Sequence, residues 1–211
     1  MAIALAPRLN RLDAICAAAL AGAGGDEAAR FSRSLYGRIA DKDLALAPAE
    51  QRATAATALL GFARRRLPGV AKVRVFNPSA ADHGFDSRHT IVQIVNDDMP
   101  FLVDSISNEF NRREIAVHLL AHPVVAVHRD IDGDLVGFAA DSGPAGRFES
   151  LMHIEIDRQN DPALLDELAA ALTRVLAEVR LAVEDWQSLR HACVDAIDDL
   201  AASRSPQLGE Y

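Results

Sequence analysis

Cysteine is nearly absent: the 211 residues contain two, Cys16 and Cys193. They are distant and each sits in a helical pattern, so neither a disulfide framework nor a paired-cysteine metal site is on offer. Both are expected as buried thiols. Aromatic residues are scarce at 5%, which leaves Ala, Leu, Val and Ile to fill the core. Positive charge is also short, with 22 Lys and Arg against 30 Asp and Glu and a formal charge of -8. A chain of this balance lacks the basic face that neutralising phosphates requires, which excludes nucleic-acid binding and points to a protein or small-molecule partner. Long hydrophobic runs are missing as well. The apolar start at 1–6 has no basic leader and is broken by Pro7 and Arg8, so neither a secretion signal nor a membrane span is expected, and a cytoplasmic protein is inferred.

The common catalytic signatures are missing too. No P-loop, GxSxG, HExxH or EF-hand pattern occurs. Gly22-Ala23-Gly24-Gly25 is the string closest to a dinucleotide fingerprint, but it follows a helical pattern instead of a strand and lacks the third glycine spacing. It is read as a helix stop.

What is present is a change of period near residue 70. Leu9, Leu12, Ala14, Ile15, Ala19 and Leu20 recur at helical spacing. A second helix, capped by Asp26, carries Phe31, Leu35 and Ile39, and a third has Pro48 in its first turn and ends at Arg64-Arg65-Arg66 before Pro68-Gly69. From Lys72 the pattern alternates as strands do: 72–78, then the β-branched run 90–95, then 114–127, where Pro123 marks a bulge, an edge or a join. Asp132-Gly133 turns a hairpin into 135–139, and a small-residue loop at 142–146 leads to a strand at 150–157. In that strand Met152, Ile154 and Ile156 face one way and His153, Glu155 and Asp157 the other, the mark of a sheet covered on one side. Asp161-Pro162 then starts a long helix. Residues 179–183 could alternate as a strand, but the stripe of Val179, Val183, Trp186, Leu189, Cys193, Ile197 and Leu200 favours helix to about residue 202.

Three groups of residues could carry chemistry. His118, His122 and His128 share strand parity, but residues four apart on a strand lie about 13 Å from each other, so no shared metal is expected. His153, Glu155 and Asp157 could serve a small hydrolase only if the fold brings them a nucleophile or a metal. The third group is the strand-to-helix turn Asn96, Asp97, Asp98, Met99, Pro100 and Phe101. Asp97 and Asp98 sit where a following helix needs caps, and the free N–H groups of that helix could instead receive the carboxylate of a small ligand.

The string Val95-Asn96-Asp97-Asp98-Met99-Pro100-Phe101-Leu102-Val103-Asp104-Ser105-Ile106, followed by Arg113-Glu114-Ile115-Ala116-Val117, resembles the start of an ACT domain, a small amino-acid-sensing βαββαβ module. A wider resemblance runs through Arg74-Val75-Phe76-Asn77-Pro78, residues 94–104, His118-Leu119-Leu120-Ala121-His122-Pro123-Val124, residues 149–158, and Val183-Glu184-Asp185-Trp186. Together these blocks are similar to the N-terminal segment of the large bacterial NAD-dependent glutamate dehydrogenases. The resemblance implies an α+β fold: an ACT or ferredoxin-like antiparallel sheet (71–186) with helices on one face, an N-terminal helical segment (1–70), and a C-terminal helix and tail (187–211) leading toward the rest of the enzyme. It implies NAD for the parent enzyme but none in this chain, no catalytic residue here, partnership with the remaining domains of the same polypeptide, a homo-oligomer, and a possible amino-acid effector at Asn96 to Phe101. A freestanding amino-acid sensor is the alternative. Many amino-acid-binding ACT domains have glycine after the proline of the turn; here Phe101 stands there, and its side chain is expected to fill the ligand pocket, which favours assembly over sensing.

Overall fold

The computed structural model describes residues 10–138 and 147–202; Leu9, Ala139, the 142–146 loop and residues 203–211 lie outside them. Four helices come first: α1 (Arg11–Ala21), α2 (Gly25–Tyr36), α3 (Asp41–Leu44) and α4 (Ala49–Ala63). Asn10 caps α1 by accepting from the Asp13 N–H at 2.8 Å, and Gly22 ends the helix. Asp26 lies inside the first turn of α2, where its charge matches the helix dipole, and Gly24 takes the capping position expected for it. Pro48 sits one place earlier than expected, as the residue before α4. The four residues of α3 are too few to leave a periodic signal.

Six strands follow: β1 (Lys72–Phe76), β2 (Thr90–Asp97), β3 (Val117–Ala121), β4 (Val124–Arg129), β5 (Leu135–Phe138) and β6 (Arg147–Ile156). Helix α5 (Ala80–His83) joins β1 to β2, α6 (Leu102–Arg112) joins β2 to β3, and α7 (Pro162–Ala202) closes the described chain. All strand pairings are antiparallel, in the order β1-β2-β6-β4-β5, with β3 beside the other half of β6. β3 pairs with residues up to Ile156 and β4 with residues down to Arg147, so β3 and β4 run as one line along β6, interrupted at His122-Pro123. Proline has no N–H for the ladder, and Pro123 is therefore a join.

A βαββαβ module ends on a strand after its second helix. In this chain that position is helical: α7 runs unbroken through 179–183. The edge beside β2 is filled instead by β1, paired from Lys72 with Val95 to Phe76 with Ile91. The sheet thus keeps its width, with a strand that precedes the module in place of one that follows it.

Val92, Ile94, Met152, Ile154 and Ile156 point to one face and pack with Leu102, Ile106 and Phe110 of α6 and with Leu168, Leu172, Leu176 and Val179 of α7. The other face is covered too. Val95, Leu119, Ala121, Val127, Leu135 and Leu151 pack with Phe31, Leu35, Leu59 and Leu60 of α2 and α4. This corrects the one-sided reading of β6: His153 and Glu155 alternate as a solvated face would, but α4 lies over them, and His153 is fully buried. Cys16 is buried as expected, whereas Cys193 is exposed. Among the described residues, no helix is long and apolar enough to cross a membrane.

The first half of α7 carries the core and its continuation does not. Leu172→Ala is expected to lower the unfolding free energy by about 2–5 kcal/mol. Leu181→Ala, at a side chain 61% exposed, is expected to change it by about 0.5 kcal/mol or less. Urea denaturation of the two variants measures both.

Candidate functional site

The end of β2 meets the start of β6 at a cluster of charges. Asp97 and Glu149 are paired across the two strands. Arg66, just beyond α4, reaches Asp97 Oδ1 at 2.5 Å and Glu149 Oε1 at 2.6 Å, with a side chain 1% exposed. Arg129 of β4 forks onto Glu149, its Nε and Nη2 each donating at 2.7 Å. Arg180 of α7 donates to Asp97 Oδ2 at 2.6 Å and to Asn96 Oδ1 at 3.2 Å, and the Gly69 N–H donates to Asp97 Oδ2 at 3.1 Å. Burial pushes both carboxyls up. The hydrogen bonds and charges of Arg66 and Arg180 more than reverse this at Asp97, and those of Arg129 and Arg66 do so at Glu149, holding both below the usual carboxylate range.

Next to this cluster lies the turn singled out in the sequence. Asp97 and Asp98 do not cap α6, and no side chain does. Asp97 faces the arginines, while Asp98 accepts from Ser150 Oγ at 2.7 Å and its N–H donates to the Phe148 carbonyl. Their place before a helix suits both to capping, but their partners come from β6, α7 and the segment after α4, which sequence order conceals. Asn96 is buried, and its Nδ2 has no hydrogen-bond partner. Met99 packs partly into the core below α6. Phe101 holds φ at +69° and is 64% exposed, so it does not fill a pocket. The left-handed backbone there is one that glycine adopts without strain.

The polar residues of β6 do not assemble a hydrolase. Glu155 is engaged by the buried Arg52 guanidinium from α4 and by His89 Nδ1 at 3.2 Å, with His153 Nε2 3.6 Å away. Burial raises the Glu155 carboxyl, and His153 and Arg52 bring it down to about 2. Asp157 lies past the strand end and is taken by His118 Nε2 at 2.8 Å and the Ala116 N–H at 3.0 Å. Ser150 sits between His122 and Asp98, its hydroxyl proton given to Asp98 and its oxygen 3.0 Å from His122 Nε2. In that order the histidine cannot take the serine proton, so the hydroxyl is not activated for attack. Among the described residues, no group of three or more His, Cys, Asp or Glu could hold a metal ion.

Arg52, Arg66, Arg129, Glu149 and Arg180 are the site residues that sequence reading misses. Arg64-Arg65-Arg66 reads as the end of a helix, and only the tertiary fold shows that its third member is buried.

An antiparallel sheet with α6 and α7 on one face and an open strand-to-helix turn defines an ACT-like module. The family model described as the glutamate dehydrogenase ACT1 domain matches residues 31–172, and the chain belongs to that family. It is 39% identical over 181 residues to the NAD-specific glutamate dehydrogenase of Halomonas elongata, covering 84% of this chain and 11% of that protein. It is 40% identical over 122 residues to the NAD-specific glutamate dehydrogenase of Pseudomonas aeruginosa, covering 56% of this chain and 8% of that protein. The chain therefore spans about a tenth of the length of these relatives. Among the described residues, the Gly22-Ala23-Gly24-Gly25 string does not form a dinucleotide cradle. The glycine string connects α1 to α2, and a Cβ at Gly24 would meet the Ala28 Cβ at 2.3 Å, so that glycine is required by packing and does not open a phosphate cradle.

Glu155 gives the module an acid-sensitive lock. A carboxyl held from 4.5 down to about 2 in the folded chain contributes stability that is full above its ordinary range and is lost as pH falls toward 2. Asp97 and Glu149, also lowered, act in the same direction. Urea unfolding between pH 5 and pH 2.5 is expected to show a steep loss of stability that Glu155→Gln makes shallower. Equal slopes would contradict this assignment.

Proposed function

We propose that this chain is a non-catalytic regulatory and assembly domain of an NAD-dependent glutamate dehydrogenase. Oxidative deamination of L-glutamate to 2-oxoglutarate, with NAD as cofactor, belongs to a distant domain of the same polypeptide. The observation that carries the reading is the span of the match: an ACT-family chain aligned with about a tenth of enzymes named for that reaction. In this reading the partners are the remaining domains of the enzyme, in a cytoplasmic homo-oligomer.

One observation favours effector binding over assembly alone. At Asn96, Asp97, Asp98, Met99, Pro100 and Phe101 an uncapped helix N-terminus lies beside a buried amide whose N–H₂ group has no partner. Helix N–H groups suit a carboxylate, and the exposed Asp98 suits an ammonium group, so an amino acid presents both matching charges. Phe101 is largely exposed and is not packed into the turn's core.

Calorimetry of the purified chain against a panel of amino acids tests the effector reading. Saturable binding that is lost in Asp98→Ala is expected, and no heat at millimolar ligand would reduce the role to assembly. The same preparation is expected to give no glutamate-dependent NAD reduction; turnover by this chain, free of contaminating enzyme, would overturn the non-catalytic reading.

A further inference from the structure

A small cavity of about 100 Å³ lies between the end of α2 and the join of β3 to β4. Leu35, Ile39 and Pro123 form its apolar wall, and Ser34, Arg38 and His122 supply its polar groups. Gly37, the residue after α2, keeps helical backbone angles, so Ser34 and Arg38 stand one turn apart on the same face. Both are exposed, and neither side chain has a hydrogen bond or an ion pair among the described residues. Arg38 sits where a cation offsets the carbonyl end of α2, but a guanidinium has five N–H donors, and that task leaves some of them for a ligand. No carboxylate lines the cavity, in a chain whose formal charge is -8.

His122 connects this cavity to the turn. Its Nε2 lies 3.0 Å from Ser150 Oγ, and that hydroxyl gives its single proton to Asp98 at 2.7 Å. Nε2 therefore carries the imidazole hydrogen, and Nδ1 is the ring nitrogen left for a ligand. We propose that Arg38, Ser34 and His122 bind a small oxyanion, a carboxylate or a phosphate-like group, and that Ser150 passes its arrival to Asp98 in the turn at residues 96–101. The volume suits this class, because sites for drug-sized ligands run to about 300–1,000 Å³. On binding, His122 takes a proton from solvent at Nδ1 and donates a hydrogen bond to the anion from there, and its Nε2–H becomes a stronger donor to Ser150. Burial holds the empty ring below its ordinary range, against the pull of Asp98 and with the push of Arg38. An anion beside Arg38 offsets that push and moves the ring upward. The anion site does not depend on whether the turn takes an amino acid.

NMR titration of the 211-residue protein tests this, with the His122 ring and the amides of the turn as reporters. The probes are sodium sulfate, whose charge is fixed across the pH range, and sodium acetate; sodium chloride at equal ionic strength is the control. A saturable upward move of the His122 midpoint is expected with either oxyanion, and the tighter of the two shows whether the site prefers a tetrahedral or a planar group. Arg38→Gln, at a surface position, is expected to weaken binding about tenfold or more. Ser150→Ala is expected to keep the His122 response and to silence the amides of residues 98–101. A response no larger than that to chloride, or one unchanged in Arg38→Gln, would overturn the site. Turn amides that still move in Ser150→Ala would overturn the relay. Amino-acid binding at the turn is expected to be lost in Asp98→Ala and kept in Arg38→Gln, so failure here and failure of the effector reading are separate results.

Discussion

The Arg66 guanidinium, buried between Asp97 and Glu149, is the contact on which the arrangement of the module depends. It leaves the end of α4, enters between the ends of β2 and β6, and shares its two carboxylates with Arg129 of β4 and Arg180 of α7. Three arginines and two carboxylates from five parts of the chain therefore meet at one end of the sheet. Buried ion pairs of this kind are weak evidence for extra stability, because desolvation offsets much of the attraction. Their effect is positional. Removing one member leaves an uncompensated charge in the interior, at a cost of about 3–5 kcal/mol, so helices packed on opposite faces of the sheet are held in register with the turn at residues 96–101.

This arrangement gives the turn its character. With Asp97 drawn toward the arginines and Asp98 held by Ser150, neither acid is left to cap α6, and the helix begins at a phenylalanine in a left-handed conformation. Arg180 ties the same turn to α7, whose apolar face extends beyond the sheet. The turn and the projecting helix are thus linked through Arg180, which donates to both Asp97 and Asn96.

Most of the fold is legible in the sequence, because periodicity reports local structure. The shift near Lys72, the β-branched run from Thr90, the Asp132-Gly133 hairpin and the Asp161-Pro162 helix start each mark an element that the structure contains. Two kinds of feature are not legible. The pairing of β1 beside β2, at the open edge of the sheet, is a tertiary choice that no local pattern records. The cover over His153 and Glu155 is hidden because a buried, paired Glu155 alternates along a strand as a solvated one does. The site divides in the same way: residues 96–101 are visible as a strand-to-helix turn, but the partners that draw Asp97 and Asp98 away from the helix, Arg66, Arg180 and Ser150, come from distant parts of the chain.

The central claim is that Arg66 joins the N-terminal helices, the turn and the first half of α7 into one cooperative unit. Amide hydrogen exchange on Arg66→Met against the unaltered chain tests it most directly. Protection is expected to fall together in α4, at residues 96–101 and in α7 from Leu168 to Val183. A loss confined to the residues around position 66, with α7 and the turn as protected as before, would contradict the claim.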